Sequence, residues 1–179
     1  MASELHVDAI KHSGGTSALT IDSSGNVNIP GSVVQIQSAT HSGSLATNSS
    51  TFADLPGLSI SFTNKFSTSK LLFIVQNHVY VGAGSSGTWQ GVDFRVLKGS
   101  TAIGHNTSGT GYGIGQSGSN DSTTRLMDYM VFMTEHTPSS TSALTYKVQC
   151  ATIKGNADNE INQNSYGSGG RLVIMEIAQ

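Results

Sequence analysis

Hydrophobic and polar positions alternate through much of this chain with the period of two that marks half-buried strands. The clearest case begins at Leu58: Leu58, Ile60 and Phe62 share one side of an extended backbone, with Ser59, Ser61 and Thr63 on the other. After a polar turn at 64–69, the run at 71–75 is apolar on both faces. A sandwich core covers one of these faces, but the other must leave water too. The same doubling recurs at 126–133, where Met127, Tyr129, Val131 and Met133 oppose Leu126, Met130 and Phe132. It recurs at 171–177, where Val173, Met175 and Ile177 oppose Leu172 and Ile174. The surplus faces exceed what one small domain buries and predict a tight homo-oligomer. Leu72, Ile74, Tyr80, Leu126, Met130, Phe132, Leu172 and Ile174 are assigned to the subunit interface or the core.

The pattern predicts strands over 32–39, 58–63, 70–81, 89–98, 101–105, 124–136, 144–154 and 171–177. Gly/Ser/Asn turns between them, and the lack of a strong helical period, define an all-β chain folded as an antiparallel sandwich or barrel. One stretch also fits a helix, since Leu126, Met130 and Met133 with Tyr129 recur at helical spacing behind Thr123 as a possible cap. Residues 1–31 differ from the rest: short extended pieces are separated by the turn clusters SGGTS, DSSGN and PG. Such pieces bury too little to stand alone, so 1–31 is expected to be an attachment or stalk segment and 32–179 the globular domain. Leu5, Val7 and Ile10 are its candidate anchor residues.

The connections at 40–57, 82–88, 106–123 and 155–170 are long or glycine-rich. If successive strands run antiparallel, these four lie at one end, away from the N-terminal segment, as a distal recognition tip. Trp89, Tyr112 and Tyr166 could stack there on a sugar, with Asn106, Gln116, Asn120, Asn162, Gln163 and Asn164 bonding its hydroxyls. The plainer alternative is that these rings pin their own loops.

Composition narrows the function. Of 179 residues only 11% are charged, yet 36% are hydrophobic, so the small polar residues read as turns and strand faces rather than disorder. A net charge of −2 and unclustered Lys and Arg argue against nucleic-acid binding. No apolar run approaches the roughly 18 residues of a membrane span, and the N-terminus lacks the pattern of a secretory signal. Cys150, the one cysteine, shares a face with Leu144, Tyr146 and Val148 and reads as a core residue.

The pieces ALTIDSSGNVNIPGSVVQ, TFADLPGLSISFT, TSKLLFIVQ, LTYKVQ and LVIMEIA, in that order, resemble the C-terminal domains of bacteriophage tail fibres and related virion appendages, especially of marine phages. The resemblance covers nearly the whole chain and rests on the order of the pieces. It implies a jelly-roll of the tumour-necrosis-factor and complement-C1q type, assembled as a homotrimer on a virion built in the host cytoplasm. It also implies docking to other virion proteins through the N-terminal segment and a structural role in the particle, often one that touches the host surface, where a glycan would be the partner that the tip residues suit. Two features depart from the family. The chain has no long shaft, which suits a short fibre, knob or decoration protein, and it lacks the His-x-His repeats by which some fibre tips bind iron.

Chemical motifs are sparse. Gly82, Gly84 and Gly87 match the dinucleotide-binding glycine spacing, but the next residues read as a strand instead of a helix, and an acidic residue is missing about twenty positions on. His6, His12, His41, His78, His105 and His136 have no triad or ligand spacing, and G-x-S-x-G is absent. Asp121, Asp158, Asn159 and Glu160 do not follow a calcium-loop spacing. The expectation is a non-enzymatic virion protein without cofactor or metal. A decoration protein without a ligand is the first rival; a polysaccharide depolymerase, which would need paired carboxylates, is the second.

Overall fold

The computed structural model describes residues 5–81, 90–103, 115–119, 126–153, 159–161 and 169–179. The described elements, in order, are β1 (Ala9–Lys11), β2 (Ser17–Ile21), β3 (Val27–Asn28), β4 (Val33–Thr40), β5 (Leu45–Thr47), β6 (Ala53–Phe62) and β7 (Lys70–Val81). Then follow β8 (Gln90–Lys98), β9 (Thr101–Ile103), β10 (Gly115–Ser119), β11 (Leu126–His136), β12 (Leu144–Ile153), β13 (Asn159–Ile161) and β14 (Arg171–Ile177). The structure is all-β, and every strand pairing is antiparallel.

Two sheets form the sandwich. One runs β10–β8–β12–β6, with β9 on β8; the other runs β4–β14–β7, with β11 along the remaining edge of β7 and β13–β5 beside its far end. Apart from the β8–β9 hairpin, neighbouring strands of the four-strand paths β4–β14–β7–β11 and β6–β12–β8–β10 are far apart in sequence, which is the strand order of a jelly-roll sandwich. The core between them is contiguous. Leu71, Phe73, Val75, Val79 and Val81 of β7 meet Leu58, Ile60 and Phe62 of β6, Val92, Phe94 and Val96 of β8, and Tyr146, Val148 and Cys150 of β12. The Phe73 and Tyr146 rings lie 5.0 Å apart, and Phe94 and Phe132 lie 6.0 Å apart.

Residues 126–133, which also fit a helical spacing, are strand. Here β7 offers an unbroken partner edge, and all 11 residues of β11 pair with it from Leu126↔Val81 to His136↔Leu71. Three stretches expected to be open connections contain strands: β5 and the start of β6, β10, and β13. Ladder hydrogen bonds use only the backbone, so Gly115–Ser119, poor in side chains, can still pair along the free edge of β8.

Two local devices shape the ends of the sandwich. In β6, Leu55, Pro56, Gly57 and Leu58 stand opposite Val148 alone, a wide bulge that admits a proline. The bulge brings Pro56 O to Ser42 N at 3.0 Å, and Gly57 takes φ of +79°. A Cβ on Gly57 would lie 2.6 Å from both Ser42 N and Thr40 O. At the other end, Glu176 sits in the core phase of an apolar strand and is fully buried. Its carboxylate accepts hydrogen bonds from Lys65 N, Phe66 N and Gln35 Nε2, while Gln35 also donates to Thr63 O. One carboxylate therefore gathers the β6–β7 turn, β4 and β14.

The N-terminal residues form a separate three-stranded sheet, β1–β2–β3. It joins the sandwich where Gly31 N donates to Ala178 O and Ala178 N to Ser32 O. This is the end at which β4 starts and β14 finishes.

Replacing Glu176 with Ala should cost about 2–4 kcal/mol in urea unfolding, because two backbone N–H groups lose a charged acceptor. Gly57→Ala should cost about 2 kcal/mol or more through the positive φ and the backbone clash. A loss below about 0.5 kcal/mol for either, within the range of an ordinary surface substitution, would contradict these roles.

Candidate functional site

The outer faces of the two sheets differ in kind. On β6–β12–β8 the outer positions are polar and mutually bonded. Gln149 Nε2 donates to Asp54 Oδ1 at 2.6 Å, Lys147 Nζ meets Asp54 Oδ2 at 2.8 Å, and Arg95 Nε and an Nη donate to Gln149 Oε1 at 2.8 and 2.6 Å. The Arg95 guanidinium also lies 3.9 Å over the Phe52 ring. Burial acts to raise the Asp54 carboxyl, but the bonds from Lys147 and Gln149 outweigh it and hold it below its usual range. Desolvation pulls Arg95 below its ordinary value against the attraction of Asp93 and Asp54. This face is a finished, solvated surface.

The outer face of β4–β14–β7–β11 is largely apolar, with polar residues at its ends and in one row. Register places its side chains in rows: Ile36–Met175–Leu72–Glu135, then Ser38–Val173–Ile74–Met133, then Thr40–Arg171–Gln76–Val131. Above these come His78–Tyr129 and Tyr80–Met127. Leu72, Ile74, Val173 and Met175 are half-buried, whereas Ile36 is 58% exposed, Val131 59% and Met133 63%. The Tyr129 ring packs edge-on against His78, with centroids 5.0 Å apart, and shelters it. A contiguous apolar sheet face of this width is the candidate functional surface.

The residues assigned from sequence to interface or core now separate. Leu72, Ile74 and Tyr80 lie on the outer face, while Met130, Phe132, Leu172 and Ile174 lie in the core. The outer partners on β11 and β14 are instead Met127, Tyr129, Val131, Met133, Val173 and Met175. The sequence showed two apolar faces per strand without saying which faced inward; the missing signal was the pairing register. In the N-terminal sheet, Leu5 is 81% exposed and Ile10 49%, with Val7 half-buried.

For the expected tip, strand ends can be placed. Thr40, Val81, Leu126, Ile153 and Arg171 all lie at the end of the sandwich opposite the Gly31–Ala178 junction. Trp89, Asn106, Tyr112, Asn120, Asn162, Gln163, Asn164 and Tyr166 lie outside the described residues. Gln116 stands in β10, paired with Asp93 of β8. Among the described residues, no group of three His, Cys, Asp or Glu side chains is placed to hold a metal, and no helix is long and apolar enough to cross a membrane.

No protein-family model matches the chain, and neither does any curated protein. Among solved structures it is similar to the VP2 subviral particle of infectious bursal disease virus, at 9% identity and a TM-score of 0.37, over 80% of this chain and 37% of that one. It is likewise similar to a Gt-strain structure of the same virus, at 13% identity and a TM-score of 0.37, over 97% of this chain and 43% of that one. The chain spans less than half the length of these neighbours, and at so remote a likeness the fold is read from the strand order itself.

Cys150 is fully buried, and burial pushes its thiol up to about 12. The folded chain should therefore resist alkylation at pH 8 and react only after unfolding, as mass spectrometry would show. Rapid modification of the native chain would place the thiol at the surface.

Proposed function

We propose that the chain is a non-enzymatic virion structural protein, a homotrimeric short fibre or knob held through residues 1–31, with the connections at the far end of 32–179 meeting the host surface. The observation that carries this reading is the apolar outer face of β4–β14–β7–β11. Half-exposed Met, Tyr, Val and Ile side chains on one continuous sheet face each gain about 1 kcal/mol on leaving water, and a closed symmetric assembly removes them all. The number three comes from the tail-fibre domains that the sequence resembles. The polar bonding on the outer face of β6–β12–β8 supports the same orientation, since that face is already suited to solvent.

The entry of the N-terminal sheet at the end opposite Thr40, Val81 and Arg171 supports a division into attachment and contact ends. Three weak sites per appendage and many appendages per particle would supply avidity without a deep pocket. A host glycan is the ligand class that the aromatic and amide residues of the connections suit. Decoration of the particle without ligand binding is the second reading, favoured by the polar, mutually bonded outer face of β6–β12–β8, which among the described residues offers no unfilled charged partner.

Sedimentation at micromolar concentration should give a trimer, and a negative charge at Val131 or Met133 (Val131→Glu, Met133→Glu) should shift it to monomer while the fold persists. A monomeric wild-type chain would sink the assembly. Replacing Trp89, Tyr112 and Tyr166 together with Ala should lower particle adsorption to cells at least tenfold. Unchanged adsorption would favour decoration.

A further inference from the structure

At the border of the apolar face, and including one of its rows, lies a cleft of about 490 Å³ lined by Thr40, His41, Ser42, Gln76, Gly169, Gly170 and Arg171. Its walls are tied by backbone: His41 N donates to Gly170 O at 2.9 Å and Ser42 N to Pro56 O at 3.0 Å. The Gly57 bulge holds the Thr40–Ser42 corner in place, because any Cβ there would collide with it. Thr40, Arg171 and Gln76 are direct register partners across three strands, so their side chains emerge on one face in one row.

The chemistry of the lining is one-sided. It offers a guanidinium, an imidazole, an amide and two hydroxyls, and among the described residues no carboxylate lines the cleft. Among the described residues, the ion pairs are Lys70–Glu135 and Lys147–Asp54, and Arg171 takes part in neither. A planar guanidinium with five donors matches an oxyanion in two-pronged fashion, and the surrounding hydroxyl and amide groups suit the remaining oxygens or hydroxyls of its carrier. We propose that this cleft is an oxyanion site, taking the carboxylate or phosphate of a small ligand, with Arg171 as its charged contact and Gln76, Thr40, Ser42 and His41 as its polar rim. The site lies where the 40–57 and 155–170 connections meet β4 and β14, and its Arg171 and Gln76 belong to the outer sheet face itself. It lies next to β4, the edge strand of its sheet, where no further strand follows among the described residues.

The test is calorimetric titration of the full chain at pH 7 with sodium phosphate, sodium glucuronate and neutral glucose, ionic strength being held constant with sodium chloride. The expected result is saturable binding of an anion with Kd on the order of 1 mM and none of glucose. Arg171→Gln should weaken binding at least tenfold. Arg171→Lys, keeping charge but losing the fork, should fall between, and Ser42→Ala should lose a few-fold; circular dichroism checks that each variant folds. Saturation by glucuronate above phosphate identifies an acidic sugar, and the reverse order a phosphate group. Absence of saturable binding by either anion, equal binding of glucose, or Arg171→Gln binding as well as the wild type would overturn the site. A wild-type chain that binds the anion as a monomer would leave this inference standing and remove the trimer.

Discussion

The rest of the structure depends on one constraint, the two apolar faces of β7. This strand is central, with β14 on one edge and β11 on the other. Leu71, Phe73, Val75, Val79 and Val81 enter the core, and Leu72 and Ile74 point away from it. Strand side chains alternate rigidly, so a one-residue slip would only exchange which set is hidden and which is left outside. A sandwich seals one face only. The chain therefore leaves an apolar surface whatever its register, and the burial of that surface is a problem that the sandwich alone does not solve.

Given that problem, the ends of the sandwich need strong local fixing, and two different devices supply it. At the end near the N-terminal sheet, a buried carboxylate, Glu176, accepts from two successive backbone N–H groups of the β6–β7 turn and from Gln35. A buried ion is tolerated only when its lone pairs are filled, and here they are. At the opposite end, the missing side chain at Gly57 does the equivalent work by letting the β6 bulge close on Ser42. One device adds a charge and the other removes a Cβ, but each binds a connection to a strand across the sandwich.

Much of this was legible in the sequence. The period of two located most of the long strands, and the double faces of residues 71–75, 126–133 and 171–177 announced the surplus surface. What could not be read was which face turns inward. In β11, Met130 and Phe132 face the core while Val131 and Met133 face out, yet the two sets are equally apolar, and only pairing with β7 distinguishes them. Short strands such as Gly115–Ser119 and Asn159–Ile161 escaped because backbone pairing leaves no side-chain pattern. Glu176 carries no local signal of its role, because its partners lie more than a hundred residues away along the chain. Most of the aromatic and amide residues expected at the tip lie outside the described residues, so the recognition chemistry there rests on the sequence.

Arg171 connects these levels. The chain is poor in charge, and Lys70 and Lys147 are already engaged by carboxylates, while Arg95 is held by Gln149. A guanidinium in the row between Val173–Ile74 and His78–Tyr129 interrupts the apolar part of the face with a charge that no ion pair among the described residues neutralises. Stacking that sealed it without an anion would bury an uncompensated charge, at a cost of several kcal/mol. Apolar faces alone are poorly selective, because many sliding arrangements bury similar area. One charge fixed within such a face makes those arrangements unequal, and favours the ones that leave the Arg171 cleft open or filled by an oxyanion.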